Sequence, residues 1–309
     1  DAASAQSVFV ADMDDDGDMD IVSASEEDDK IAWYENDGNA NPSWTTREIA
    51  TSADGACYVF VADMDNDGDM DIVSASAEDD TIAWYENDGN ANPSWSASDI
   101  ATSADGARSV FVADMDNDGD MDILSASEED NTIAWYENNN GDGSSWTAAD
   151  ITTSAEGANS VFAADMDNDG DMDIVSASSS DDTIAWYENN NGDGSSWTSA
   201  DIATDADGAK AVFVADMDND GDMDIVSVSS RDDTSDDTTA WYENNNGDGS
   251  SWTAADIATS GDDPYGLFVA DMDNDGDLDI VVAFIEDDKI VWYENTATFS
   301  FDPTWTPRT

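Results

Sequence analysis

Short apolar runs, each bounded by Asp, Asn, Gly or Ser, recur along the whole chain. Between residues 103 and 153 four of them follow one another: Val110–Met115, Asp122–Ser127, Thr132–Glu137 and Trp146–Ile151. Runs of this length between turn residues predict strands. The first three carry apolar side chains at odd and even positions alike, as in Val110, Phe111 and Val112 or Ile133, Ala134, Trp135 and Tyr136. That is the pattern of strands covered on both faces. The fourth is more polar and suits an outer edge. Four strands of graded polarity, with both faces to be buried on neighbours, predict a propeller blade; a solenoid coil, the main competitor, is usually shorter.

The pattern repeats. The string D-M-D-x-D-G-D-x-D begins at Asp12, Asp63, Asp114, Asp165, Asp216 and Asp271, spaced by 51 residues four times and then by 55. The longer interval reflects an insertion around Arg231–Thr234, because Trp186 follows Asp165 by 21 residues whereas Trp241 follows Asp216 by 25. The repeats, approximately 1–51, 52–102, 103–153, 154–204, 205–259 and 260–309, predict an all-β chain. Its expected form is a single six-bladed β-propeller over 1–309, with four antiparallel strands per blade and one Ca²⁺ loop per blade between strands one and two. The frame runs from an inner strand at Val8 to an outer strand at Trp305–Thr309, so no blade is shared between the termini. That last strand stops early compared with Trp252–Thr259, and we expect the chain to be part of a longer protein.

The chemistry lies in the loop. In Asp114–Asp122 carboxylates stand at positions 1, 3, 5 and 9, Gly119 permits the sharp turn between them, and position 7 can add a backbone carbonyl. These are the hard oxygen ligands that Ca²⁺ prefers, in the opening pattern of an EF-hand loop but flanked by strands and without the Glu at position 12. The candidate ligands are Asp12, Asp14, Asp16, Asp18 and Asp20; Asp63, Asp65, Asp67, Asp69 and Asp71; Asp114, Asp116, Asp118, Asp120 and Asp122; Asp165, Asp167, Asp169, Asp171 and Asp173; Asp216, Asp218, Asp220, Asp222 and Asp224; and Asp271, Asp273, Asp275, Asp277 and Asp279. Met115 and Met121 are expected to face the apolar interior. Mg²⁺ fits less well, because it keeps several waters and takes few protein ligands. Two like charges 4 Å apart cost roughly 4 kcal/mol at an effective dielectric near 20, so calcium is expected to be needed for folding.

Charge sharpens this picture. Seventy-five acidic residues face seven basic ones, a formal −68, while 39% hydrophobic content with twelve Trp, eight Tyr and nine Phe is too apolar for a disordered acidic tail. Nucleic acid is excluded as a partner, since phosphate recognition needs clustered Lys and Arg. Direct membrane insertion is not expected either, because the apolar runs are only a few residues long. No signal peptide begins at Asp1, and the chain is read as mature or trimmed.

The D-x-D-x-D-G-x-x-D loop, followed by D-I-V-S-A-S and I-A-W-Y-E-N strands, resembles the FG-GAP or VCBS repeat family, which includes the integrin α-subunit propeller. The likeness covers essentially the whole chain. It implies a calcium-binding propeller of a secreted or cell-surface protein, with ligands bound on the face away from the metal loops. Six blades rather than seven, and a single cysteine, argue against an integrin-like receptor. About six Ca²⁺ ions are expected, one per repeat, at the 10⁻⁴ to 10⁻³ M affinities of extracellular modules. The surplus acidity suits a saline medium, where the Debye length is about 8 Å or less.

Compared with one another, the repeats differ most just before strand one, at Gln6, Cys57, Arg108, Asn159, Lys210 and Tyr265, with Tyr58 beside Cys57. These residues would ring the channel opposite the calcium loops, either as drift in exposed loops or as a binding ring. The first expectation for function is an extracellular structural or adhesive module of a cell-surface, matrix or filament assembly. The alternative is a lectin-like or protein-binding module using the ring. An enzyme is not expected: with no histidine the commonest general base is missing, and a polysaccharide lyase would have to use Tyr58, Arg108 or Lys210. Trp33–Tyr34 and their equivalents read as interblade core.

Overall fold

The computed structural model describes residues 2–231, 237–259, 261–296 and 303–308. Each of the six repeats forms one four-stranded antiparallel sheet with its strands in sequence order. In the third repeat these are Ala107–Ala113, Asp122–Ser127, Thr132–Asn138 and Trp146–Thr152. Six blades of four antiparallel strands are the architecture of a six-bladed β-propeller. The chain packs as two units, the first running to Ala158 and the second from Asn159.

The first strand departs from the sequence expectation. It begins at Ala107, three residues before Val110, and ends at Ala113, so that Asp114 and Met115 belong to the turn. The early start is a β-bulge: Ala107 opposes Ser127 and Ser109 opposes Ala126, leaving Arg108 as the extra residue. The same irregularity falls at Gln6, Cys57, Lys210 and Tyr265. A bulge residue is outside the ladder, and no side chain opposite dictates its identity.

Packing follows the two-sided pattern. Within the first unit, Val22, Ala24, Ile31 and Trp33 of blade one meet Val59, Val61, Ile72 and Tyr85 of blade two. The neighbouring positions Val73, Ala75, Ile82 and Trp84 of blade two turn the other way, onto Val110, Val112, Ile123 and Tyr136 of blade three. The second unit repeats the arrangement with Val175, Ile184 and Trp186 against Val212, Ile225 and Tyr242, and with Val226, Val228 and Trp241 against Ile280, Val282 and Tyr293. Each large side chain so buried contributes about 1.5–3 kcal/mol. The Trp–Tyr pairs are therefore interblade core, with Trp33 edge-on to Trp95 and Trp84 edge-on to Trp146. Phenylalanines line up along the inner strands, Phe9–Phe60–Phe111 in one unit and Phe162–Phe213–Phe268 in the other. The fourth strands are the exposed ones.

Of the insertion at Arg231–Thr234, residues 232–234 lie outside the described residues; the flanking strands end at Ser229 and resume at Thr238. The last strand is Trp305–Arg308, and Thr309 lies outside the described residues. No helix of the described residues is long and apolar enough to cross a membrane.

Candidate metal centre

After the first strand the chain turns through the aspartate loop under two backbone constraints. Position 4, which is Asp15, Asn66, Asn117, Asn168, Asn219 or Asn274, is left-handed with φ between 58° and 61°. Position 6 is always glycine, at φ between 92° and 99°, where a Cβ is strained. The turn aims main-chain N–H groups at the carboxylates. In the second loop Asp67 N donates to Asp63 Oδ1 (3.1 Å), Gly68 N to Asp63 Oδ2 (3.0 Å) and Asp69 N to Asp67 Oδ1 (2.9 Å).

The consequence is convergence. In loops two to five the carboxylates at positions 1, 3 and 5 bring ligand atoms within 4.8 Å of one another; in loop one the set is Asp12, Asp14 and Asp20. Position 3 bears the strain of this crowding. Burial first, then neighbouring carboxylates, push Asp14, Asp65, Asp116, Asp167 and Asp218 up to about 6. Asp14 Oδ1 and Asp218 Oδ2 are buried with no hydrogen-bond partner.

Position 9 is different. Asp122 accepts Met115 N at Oδ2 (3.2 Å) and Asn138 N at Oδ1 (2.7 Å), with Trp135 Nε1 also on Oδ2 (3.0 Å). It lies at the floor of the loop, and burial raises Asp71, Asp122, Asp173 and Asp224 to about 7 despite these donors. Position 7 turns its side chain away. The Asp120 carboxylate fills the space a Cβ on Gly141 would occupy, 2.1 Å from it. The donor set is therefore hard oxygen throughout, with an orphaned carboxylate oxygen in two loops, and it fits a calcium ion held chiefly by positions 1, 3 and 5.

The methionines divide. Met13, Met64, Met115, Met166 and Met217 at position 2 are buried, as expected, whereas Met272 is exposed. At position 8 the expectation for Met121 holds only in part: Met121 and Met223 pack against the core, but Met19 and Met70 are exposed. Position 8 sits at the rim of the turn.

The asparagine ending each third strand was missed. Asn87 Nδ2 donates to Met13 O of the previous blade (3.0 Å), Asn138 to Met64 O (2.8 Å), Asn244 to Met166 O (2.8 Å) and Asn295 to Met217 O (3.2 Å). Its recurrence at 36, 87, 138, 189, 244 and 295 was the available signal.

The varied residues lie at the start of the first strand, the end remote from the loop, and inside the strand rather than before it. They are not equally available. Gln6 donates to Glu26 (2.5 Å), Asn159 Nδ2 to Ala209 O (3.3 Å), and Arg108 pairs with Glu128 (2.6 Å) with a guanidinium nitrogen 3.8 Å from Cys57 Sγ. Cys57 is buried, and burial raises its thiol pKa. Tyr58 and Tyr265 are exposed, and Lys210 pairs with none of the described carboxylates.

None of the curated proteins matches the chain in sequence. Among solved structures, a lectin of Agrocybe aegerita, described for recognition of non-reducing terminal N-acetylglucosamine, superposes with a TM-score of 0.65 at 20% identity, covering 97% of this chain and 78% of that one. The Aleuria aurantia lectin, a six-bladed β-propeller with a fucose recognition mode, superposes with a TM-score of 0.52 at 15% identity, covering 99% and 95%. At these identities the likeness is one of fold. The FG-GAP-like repeat matches five times, at 12–74, 63–125, 114–176, 165–227 and 228–282. Four of the matches start at an aspartate loop and run on through the next one, and together the five span most of the sequence: the chain belongs to the FG-GAP-like repeat family.

Proposed function

We propose that this chain is an extracellular calcium-binding propeller module, each ion bracing one blade, that serves as a structural or adhesive part of a cell-surface, matrix or filament assembly. The observation that carries this is the convergence of positions 1, 3 and 5 in loop after loop, each time on a scaffold of main-chain donors. Calcium supplies the positive charge that these carboxylates lack. Positions 1, 3 and 5 hold the ion, position 9, which joins the cluster in loop one, anchors the loop floor beneath it, and position 7 offers its carbonyl. The test is thermal unfolding by circular dichroism with Ca²⁺, with Mg²⁺ and with chelator, alongside a calcium count. A calcium-specific rise in Tm with about one ion per loop supports the reading. A Tm indifferent to chelation removes both the metal and the extracellular argument.

A second reading is glycan or protein binding at the varied end of the blades. Two observations favour it: the fold is shared with two sugar-binding lectins, and varied residues such as Arg108, Lys210 and Tyr265 are bulge residues, left out of the ladder, where a bulge can re-aim a side chain. Tyr58 and Tyr265 are exposed at that end, and Lys210 stands in the same register position one blade before Tyr265. A glycan array in calcium, repeated with Lys210→Ala and Tyr265→Ala, tests it; an array without binders counts against a lectin.

A further inference from the structure

Loops of successive blades touch, and in three cases the contact runs from the asparagine at position 4 to the carboxylate at position 7 of the next loop. Asn66 Nδ2 donates to Asp120 Oδ1 (3.0 Å) and to Gly141 O (3.3 Å). Asn168 Nδ2 donates to Asp222 Oδ1 (3.0 Å) and to Gly247 O (3.2 Å), and Asn219 Nδ2 to Asp277 Oδ1 (3.1 Å). Position 4 of one loop thus holds position 7 of the next blade's loop and, in two of the three cases, the turn against which that carboxylate rests. The asparagine is left-handed in all three, with φ of 58° to 60°, so the direction of its side chain is set by the fold of its own loop.

Blade one departs from the rule. Asp15 stands where the other loops have asparagine, and its carboxyl lies against that of Asp69. A carboxylate has no N–H to donate. The second loop therefore receives a like charge where the third receives an amide.

We propose that the position-4 asparagine is a positioning residue that couples neighbouring metal sites in chain order, and that Asp15 breaks this coupling, leaving loop 63–71 a weaker calcium site than loop 114–122. The proposal rests on the calcium reading above. An empty loop, with three carboxylates converged, repels itself and releases its asparagine. A filled loop holds the asparagine, which fixes the next Asp side chain away from the ion and steadies the strand of main chain that carries its carbonyl. Linkage makes the effect reciprocal, so filling either loop favours the other.

The experiment is calorimetric titration of Ca²⁺ into the metal-stripped full chain, with circular dichroism to confirm folding. Asp15→Asn restores the missing donor at an exposed site and is expected to tighten one ion about fivefold with the ion count unchanged. In an Asp63→Ala background, which removes the first ligand of loop two, the same change is expected to gain nothing. Asn66→Asp should weaken one ion by a similar factor. An unchanged isotherm for Asp15→Asn, a gain that survives Asp63→Ala, or weaker binding, which would make Asp15 a ligand in its own right, overturns the coupling. A wild-type chain that takes up no calcium overturns the calcium reading itself, which separates the two failures.

Discussion

At the scale of single residues, the proposed calcium role gives the loops attraction for a cation and repulsion in its absence, and one substitution separates the two. Asp116 stands close to Asp114 and Asp118, its carboxyl raised to about 6 by burial and then by Asp118. Asp116→Asn keeps an oxygen and removes a charge. Calcium affinity at that loop should fall about tenfold, as expected when affinity is tuned by ligand charge, while the metal-stripped protein should gain stability. Paired melts with and without calcium check this; loss in both conditions would mean that Asp116 is merely structural. Glycine carries a second residue-scale prediction. Gly143 has φ of 63°, and a Cβ there would stand 2.2 Å from the Trp84 ring of the preceding blade. Gly143→Ala should cost about 1–3 kcal/mol in denaturant unfolding through overpacking, with calcium bound or not.

At the scale of elements, the apolar packing between blades is supplemented by a polar clamp, one side chain at the end of the third strand. Asn138 is fully buried; its amide donates to Met64 O of the previous blade, and its oxygen accepts Gly143 N (3.1 Å). Asn138→Ala orphans both partners and should cost about 1–3 kcal/mol for each group left unsatisfied, seen as a lower midpoint at unchanged calcium count. Strands, blade number and the clustering of loop carboxylates were legible because each obeys a local rule: short runs apolar on both faces, turn residues at fixed offsets, carboxylates at odd positions. The clamp was not, because its acceptor lies 74 residues away and a backbone carbonyl leaves no trace in sequence. The bulge was hidden for a related reason. Arg108 reads as a variable loop residue, yet register with Ser127 and Ala126 places it in a strand, and its pairing with Glu128 depends on that register.

At the scale of the molecule, the excess of 75 acidic over seven basic residues is only lightly offset by surface ion pairs such as Lys30–Glu48 and Arg47–Glu35. Exposed pairs of this kind contribute about 0–1 kcal/mol each. If the loops hold calcium as proposed, protons and calcium compete for the same carboxylates, and the sign of the competition can be worked out. Asp71, Asp122, Asp173 and Asp224 are raised to about 7, and position 3 of loops one to five to about 6, against roughly 3.9 in an unfolded chain. The folded state thus binds these protons more tightly. Its protonated form contributes stability that is fully present below about pH 4 and is lost as pH rises through 6 and 7. Asp88, held down to about 2 by Ser94, works in the opposite sense, but its contribution is lost only below about pH 4, outside that window. Metal-stripped protein should accordingly melt higher at pH 5 than at pH 8. Calcium favours the ionised form, so with saturating calcium the order should reverse and the gap between the two curves should widen from pH 5 to pH 8. Melting curves at pH 5, 6, 7 and 8, with calcium and after stripping, measure that gap. Curves that run parallel across the window would show that the loop carboxylates titrate without reference to a metal, and would leave the aspartate loops as solvated turns.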